Sequence, residues 1–188
     1  MTKQLDYSKL DKVLQYQDTQ LAIDWRNKEW KFLDINGNNY VSLSEFETWI
    51  EHHLPEFFNS GDGQRYKIAF RYAYNKARTI HQSKATATSA QKQQNDDYLT
   101  RSEFAPMLKY TRIFLEIYNM FDELDTSRDR KIQIGEFIRG VDKLNQWGAK
   151  IQDPKADFKK IDDNDSGNIL YDEFLQYALD KNLEVIQG

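Results

Sequence analysis

The sequence of 188 residues contains no cysteine, only three prolines and eight glycines, and no long apolar run. The absence of cysteine excludes disulfides, thiolate metal sites and S-acylation. Scarce proline and glycine, together with 30% charged and 14% aromatic residues, favour a helical globular protein over a disordered chain. A membrane-spanning helix needs about 18 consecutive apolar residues, and no segment meets that requirement.

Targeting signals and strong charge are lacking as well. The first residues contain neither the apolar region of a secretory signal nor a glycine at position 2, so neither secretion nor myristoylation is predicted. A net charge of −4 is too small to indicate a nucleic-acid partner. We expect a soluble intracellular protein in the cytoplasm, without a lipid anchor.

What the sequence does contain is a twelve-residue segment rich in oxygen donors, residues 162–173 (loop 4). The donors at positions 1, 3, 5, 7 and 12 are Asp162, Asn164, Ser166, Asn168 through its backbone carbonyl, and Glu173. Gly167 at position 6 allows the sharp turn of an EF-hand calcium loop. Only oxygen is offered, which favours Ca²⁺ over softer metals. Ile169 at position 8 is expected to pair with a partner loop through a short β contact.

A second segment with the same spacing is residues 34–45 (loop 1). Its donors at the same five positions are Asp34, Asn36, Asn38, Tyr40 through its carbonyl, and Glu45. Asn39 stands at position 6, and asparagine tolerates the left-handed conformation better than other non-glycine residues. We predict an intact calcium loop, with a structural remnant as the alternative.

A third segment, residues 125–136 (loop 3), fits less well. Its corresponding donors are Asp125, Ser127, Asp129, Lys131 through its carbonyl, and Glu136. Arg130 at position 6 is expected to cost on the order of 1 kcal/mol in the left-handed conformation. The neighbouring cations oppose an ion, although exposed charges are screened. We predict calcium binding here, with a purely structural loop as the alternative.

Residues 92–103 (loop 2) keep the end of the pattern and lose its beginning. Glu103 closes the segment and Leu99 occupies position 8, whereas Lys92 and Gln94 replace the oxygen donors at positions 1 and 3. We predict a degenerate loop that is retained for pairing and binds no metal. Before it, residues 81–96 lack large apolar side chains and are predicted to form a surface insertion.

The repeated pattern predicts an all-α fold of four EF-hand helix–loop–helix units in two packed pairs, with short β contacts between paired loops. We assign residues 1–17 to an N-terminal extension, 18–109 to the first pair including the 81–96 insertion, and 110–188 to the second pair. Residues 65–78 are predicted to form an amphipathic helix with a solvated basic face. An anionic partner for that face is the alternative.

Two further helical patterns are specific enough to compare with the structure. Leu21, Trp25, Trp30 and Leu33 are predicted to share one packed helix face. A single helix is predicted from Phe137 through Leu144, ending at Trp147–Gly148, and Asp153–Pro154 is predicted to open the next helix.

Several segments also resemble a known family. These are residues 73–78 (Ala-Tyr-Asn-Lys-Ala-Arg), 121–125 (Phe-Asp-Glu-Leu-Asp) and 144–150 (Leu-Asn-Gln-Trp-Gly-Ala-Lys), the last followed by Asp153–Pro154. The chain resembles the calflagins, flagellar calcium-binding proteins of protists, and related ciliate EF-hand proteins. The resemblance implies four hands in two pairs, calcium in the last two loops and a sensor role in flagella. The N-terminal Gly-Cys of calflagins is absent, so membrane anchoring is not carried over.

We therefore expect a non-enzymatic, monomeric calcium-binding protein of the cytoplasm, flagellum or cilium. It would act as sensor or buffer through calcium-dependent helix rearrangement and a ciliary or cytoskeletal protein partner. The alternative is a calcium-triggered photoprotein, which resembles this chain in length and loop pattern but needs buried His, Trp and Tyr groups around a luciferin. Only His52, His53 and His81 are available, and the adjacent pair is predicted to be solvated.

Overall fold

The computed structural model describes residues 6–58, 63–80 and 98–184. The α-helices in these ranges are α1 Tyr7–Val13, α2 Gln20–Leu33, α3 Leu43–His53, α4 Lys67–Arg78, α5 Phe104–Leu124, α6 Ile134–Arg139, α7 Val141–Gln146, α8 Pro154–Ile161 and α9 Tyr171–Lys181. Short 3₁₀ segments are Pro55–Phe57, Gly63–Tyr66 and Arg101–Glu103. None of these helices combines the length and apolarity that a membrane crossing requires. The predicted insertion 81–96, with Lys92 and Gln94, lies outside the described residues.

Within the described residues, four two-residue strands form two antiparallel pairs. The strands are β1 Tyr40–Val41, β2 Leu99–Thr100, β3 Ile132–Gln133 and β4 Asn168–Ile169. In the first pair Val41 lies opposite Leu99, and in the second Ile132 lies opposite Ile169. These four residues occupy position 8 of their loops and are fully buried. The predicted β contact between paired loops is therefore confirmed, within a chain that is otherwise mostly helical as expected.

Helix boundaries follow the capping signals in the sequence. The side chain of Ser42 accepts a hydrogen bond from the amide of Glu45, whose own carboxylate reaches back to Ser42, and α3 begins there. The side chain of Asp153 caps α8 by accepting the amides of Lys155 and Ala156, with Pro154 in the first turn. The predicted amphipathic helix is also confirmed in α4, since Phe70, Ala73, Tyr74 and Ala77 form its buried face, whereas Ile68 on another side is exposed.

The predicted packed face of α2 is wrong at its first residue. Leu21 is 82% exposed, whereas Ala22, Trp30 and Leu33 are buried. At about 100° per residue, Leu21 lies about 120° around the helix from Leu33, while Ala22 lies within about 20° of it. The buried stripe of α2 therefore starts at the small residue beside the leucine.

The single helix predicted through Phe137 and Leu144 is wrong as well, because Gly140 divides it into α6 and α7. Both apolar residues are buried as expected. A Cβ atom at Gly140 would overlap a methyl group of buried Leu124 at the end of α5. The backbone at Gly140 therefore packs directly against Leu124 of α5, because glycine has no side chain.

The described chain falls into two compact units, residues 6–115 and 116–184, with the boundary inside α5. In the N-terminal unit α1 buries Leu10 against the core, and Asp11 pairs with Arg112 of α5 at 2.9 Å. Fully buried aromatic side chains fill both cores: Phe46, Phe70 and Tyr74 in the N-terminal unit, and Phe121, Phe137 and Phe174 in the C-terminal unit.

Candidate metal-binding loops

In loops 1, 3 and 4 the aspartate at position 1 is held by the same two hydrogen bonds. Its carboxylate oxygens accept the backbone amides of positions 5 and 6. The distances are 3.1 and 2.9 Å at Asp34, 3.1 and 2.9 Å at Asp125, and 2.9 and 2.8 Å at Asp162. All three aspartates are buried. Each loop is therefore wound around its first predicted ligand.

The glutamate at position 12 closes each of these loops from the other end. One carboxylate oxygen of Glu45, Glu136 and Glu173 accepts the amide of position 9, at 2.9, 3.0 and 2.8 Å respectively. The second oxygen accepts hydrogen bonds from residues at positions 2 and 3, or position 3 alone in loop 1. Each glutamate is the third residue of its following helix. The second oxygen thus ties the start of that helix to the start of the loop.

Glu136 shows the electrostatic result of this arrangement. Burial alone would raise the pKa of its carboxyl group, but the amides of Gln133 and Ser127 and the hydroxyl of Thr126 donate to it. Together these hydrogen bonds hold the pKa below its ordinary value, because they favour the charged form. The carboxylate is therefore kept in the form that a cation requires.

Positions 4 and 6 are left-handed in all three loops. The φ angles are +70° and +65° at Gly37 and Asn39, +62° and +68° at Arg128 and Arg130, and +52° and +78° at Asp165 and Gly167. The sequence predicts this conformation at position 6 but not at position 4, although Gly37 is a signal for it there. Loop 3 is the most strained, since arginine occupies both positions and each costs about 1–2 kcal/mol relative to a right-handed conformation.

Loop 2 is described from Tyr98 onwards and keeps the closing half of the same pattern. The amide and hydroxyl of Thr100, at position 9, donate to Glu103, both at 2.8 Å. Glu103 is buried like Glu136. The predicted absence of a metal here depends on Lys92 and Gln94 and stays a prediction.

The donors of loops 1, 3 and 4 fit calcium by type, being carboxylate, amide, hydroxyl and carbonyl oxygens. The described residues gather no group of three or more His, Cys, Asp and Glu side chains that could hold a metal. In loop 3, which has the most carboxylates among its predicted ligands, Asp129 accepts instead from the Lys131 amide and the Gln133 side chain, at 3.3 and 3.1 Å. Each set of predicted calcium ligands therefore mixes carboxylates with neutral oxygens. The carboxylates accept hydrogen bonds from other groups of the same loop.

Outside the loops, α2 and α3 are joined by a polar contact that we call the Glu29 bridge. One oxygen of Glu29 accepts the indole N–H of Trp49 and lies 2.9 Å from Nε2 of His53. The His53 ring lies 4.5 Å from that of Trp49. The prediction of a solvated histidine pair is thus wrong for His53, which is half-buried by these neighbours.

Burial also determines the charge of His53. It lowers the pKa of the imidazole, an effect that nearby Glu29 opposes and His52 reinforces. The contact with Glu29 does not require a charged ring, because a neutral imidazole can donate through Nε2–H. We therefore describe the Glu29 bridge as hydrogen bonding rather than as an ion pair.

A further contact joins α4 to the strands between loops 1 and 2. The hydroxyl of Tyr74 donates to the carbonyl of Val41 at 2.7 Å, and the backbone of Leu99 is a second hydrogen-bonding neighbour. Burial raises the pKa of this hydroxyl to about 12. The phenol thus remains a donor at any physiological pH.

Comparison with known proteins gives the resemblance a measurable extent, although no family model matches the chain. A flagellar calcium-binding protein of Trypanosoma cruzi is 37% identical over 101 residues, which are 54% of this chain and 48% of that protein. The flagellar calcium-binding proteins TB-24 and TB-1.7G of Trypanosoma brucei brucei are each 36% identical over 90 residues. Those residues are 48% of this chain and 41% and 39% of the two relatives.

The chain therefore spans less than half the length of each of these curated relatives. Within that limit, the predicted resemblance to calflagins is confirmed: over about half its length, the chain is similar to trypanosome flagellar calcium-binding proteins.

Proposed function

We propose that this protein binds Ca²⁺ through loops 1, 3 and 4, within four EF-hand units arranged in two pairs. The observation that carries the proposal is the shared arrangement of the three loops, in which an aspartate at position 1 and a glutamate at position 12 are held by equivalent hydrogen bonds. The ligands are those assigned from the sequence, with position 7 contributing its carbonyl. The names of the relatives support calcium as the ion.

The glutamate at position 12 would couple calcium binding to the position of the helix that follows the loop. A calcium ion held by this glutamate would take the place of its hydrogen bonds to positions 2 and 3, or to position 3 alone in loop 1. Because this glutamate is the third residue of α3, α6 or α9, the exchange repositions the start of that helix. Binding also stabilises the fold, by about 2.7 kcal/mol at a free calcium concentration 100 times the Kd.

The biological role that fits this chemistry is a non-enzymatic calcium sensor or buffer of flagella or cilia, working with a protein partner. The flagellar names of the relatives support the location. Sensor and buffer differ in whether calcium exposes apolar surface. A sensor will increase the fluorescence of an apolar dye such as ANS on calcium addition, whereas a buffer will leave it unchanged.

A calorimetric calcium titration tests the proposal. We expect two or three sites. Glu45→Gln, Glu136→Gln and Glu173→Gln should each remove the site of their own loop wherever that loop binds the ion, and Glu173→Gln should remove the tightest. Glu103→Gln is the matched control, since it makes the same change at position 12 of loop 2 and should leave the stoichiometry unchanged. Absence of calcium uptake at micromolar to millimolar levels, or a titration unaffected by Glu173→Gln, would contradict the proposal.

A further inference from the structure

The outward side of α2 presents large apolar side chains to water. Leu21 is 82% exposed and Phe32 is 70% exposed, and Ile35, which follows the end of the helix, is 63% exposed. No other large apolar side chain in the described part of the chain is as exposed as these three, which we call the α2 strip. Scattered exposed apolar residues are ordinary, whereas several along one element indicate an interaction surface.

The strip is continuous along the helix. At about 100° per residue, Leu21 and Phe32 lie about 20° apart around α2, on the side opposite buried Trp30. Their separation of eleven residues corresponds to about 16 Å, or three helical turns. That length matches the contact made by one short helical segment, which places apolar anchors at successive turns.

The unpaired charges beside the strip are positive. Lys28 lies between Leu21 and Phe32, within about 40° of both, and Lys31 lies on the flank of the helix. Both lysines are exposed, and neither has an ion pair or a side-chain hydrogen bond with another described residue. The nearby carboxylate of Asp24, by contrast, already accepts from Gln20 at 2.8 Å. The surface therefore complements a ligand that combines apolar side chains with carboxylates.

The size of the strip distinguishes between possible occupants. A stable contact between two copies of the chain needs about 800 Å² on each side, contributed by about 20 or more residues. Three apolar side chains on one helix do not supply that area. Electrostatic binding to an anionic membrane typically uses about four to eight basic residues, and the strip has two. A single helical segment of a partner protein fits the strip better than either alternative.

The inner side of α2 is held by residues that do not belong to the strip. The Glu29 bridge ties α2 to α3, and the ring of Trp25 lies edge-on to that of Trp49 at 6.1 Å. On a third side, Asn27 accepts a hydrogen bond from Arg101 at 2.8 Å. The helix is thus positioned without help from the strip, so a partner would find it already formed.

We propose that the α2 strip binds an acidic amphipathic helical segment of a protein partner. Apolar side chains of the segment pack on Leu21, Phe32 and Ile35, and its carboxylates pair with Lys28 and Lys31. The inference names the chemistry of the partner that the proposed function includes, and in that respect it rests on the proposed function. None of these five residues is itself a proposed calcium ligand.

Calorimetric titration of the whole protein with a model peptide tests the inference. The probe is an amphipathic peptide of leucine and glutamate, and its counterpart carries lysine at every glutamate position. We expect the glutamate peptide to bind and the lysine peptide not to bind. Phe32→Ala should weaken binding roughly tenfold, since aromatic anchors dominate such contacts. Lys28→Gln should weaken it about threefold and reduce its dependence on salt.

Ile138→Ala is the matched control, because it truncates a 42% exposed apolar side chain of the C-terminal unit. It should leave the peptide affinity unchanged. Equal binding of both peptides, no binding of the glutamate peptide, or equal affinities of Phe32→Ala and Ile138→Ala would overturn the inference. So would a dimer that Phe32→Ala dissolves, measured by light scattering, or binding to phosphatidylserine vesicles that requires Phe32 in a protein that does not bind the peptide.

Calcium titration of the same variants separates this inference from the proposed function. Failure of the glutamate peptide to bind, with normal calcium uptake, overturns only the role of the α2 strip. Absence of calcium uptake, with normal peptide binding, overturns only the proposed function.

Discussion

The helix pairs around loops 1 and 4 differ although their loops are nearly identical. In both loops the first aspartate accepts the amides of positions 5 and 6, and the last glutamate accepts the amide of position 9. Between the helices, by contrast, the Glu29 bridge joins α2 to α3, whereas Asp157, Tyr177 and Lys181, at the equivalent positions of α8 and α9, line an open groove.

The difference teaches that loop and helix contacts are separate properties of a helix–loop–helix unit. The loop determines which ligand atoms are available. The residues four and eight positions after the loop determine how firmly its two helices are held. Loop 3 provides a third case, since Gly140 occupies the first of these positions and allows direct packing against α5. We therefore expect α8 and α9 to be the pair most easily moved by a ligand.

The largest expected effect comes from removing the carboxylates at the two equivalent positions, Glu29 and Asp157. Glu29→Ala leaves the indole of Trp49 and the imidazole of His53 without their acceptor, and should lower the free energy of unfolding by about 3 kcal/mol. Asp157→Ala removes only an exposed ion pair and should change it by less than about 0.5 kcal/mol. Urea unfolding followed by circular dichroism measures both, and similar losses in the two variants would refute the comparison.

The second largest effect is expected at Gly140, where α5 packs directly against the backbone. Gly140→Ala should destabilise the protein by about 2 kcal/mol, because the new methyl group overlaps buried Leu124. Gly135→Ala in the same helix is the control. Its Cβ would meet only the end of the Arg139 side chain, at 3.4 Å, so a gain of about 0.5 kcal/mol from helix propensity is expected. Thermal melting of both variants is the measurement, and a neutral Gly140→Ala would show that the helices are not in close contact.

The same comparison can be tested by introducing the equivalent of the Glu29 bridge between α8 and α9. The double variant Asp157→Glu, Tyr177→Trp places the loop 1 pair at the loop 4 positions. We expect about 1 kcal/mol of added stability from the new hydrogen bond. Urea unfolding measures this gain. An unchanged or lower stability of the folded double variant would show that the indole does not reach the glutamate.

The smallest effect concerns pH. Because burial lowers the pKa of His53 in the folded state, the unfolded chain binds a proton first as the pH falls below about 6.5. The stability contribution of the neutral imidazole is therefore present above that pH and is lost below it. His53→Gln should flatten the fall in melting temperature between pH 7 and 5, whereas exposed His52→Gln should change it less. A steeper fall in His53→Gln would give the opposite sign and exclude the mechanism.

The loops and their pairing could be predicted from the sequence because their chemistry is local. Twelve consecutive residues contain every donor, so spacing alone places Asp162 and Glu173 at opposite ends of one turn. The apolar residue at position 8 similarly identifies the paired strands, since Val41 and Leu99 each occupy it. Neither prediction requires knowing which face of a helix packs against which neighbour.

What could not be predicted depends on contacts between elements. The Glu29 bridge joins residues that are 20 or more positions apart, and nothing in their spacing indicates that a glutamate of α2 faces a tryptophan of α3. The error at Leu21 has a related cause, because hydropathy alone favours the larger leucine over the neighbouring alanine. The break at Gly140 cannot be predicted, because a glycine inside a helical pattern does not reveal which side chain approaches it.

The strand pair of the N-terminal unit gives loop 2 a use that needs no ligand of its own. Leu99 supplies the opposite edge for Val41, and the hydroxyl of Tyr74 donates a hydrogen bond to the Val41 carbonyl. Without that edge, the backbone of loop 1 would face water at Val41, which is now fully buried. The strand of loop 2 thus shapes its neighbour whether or not loop 2 itself binds an ion.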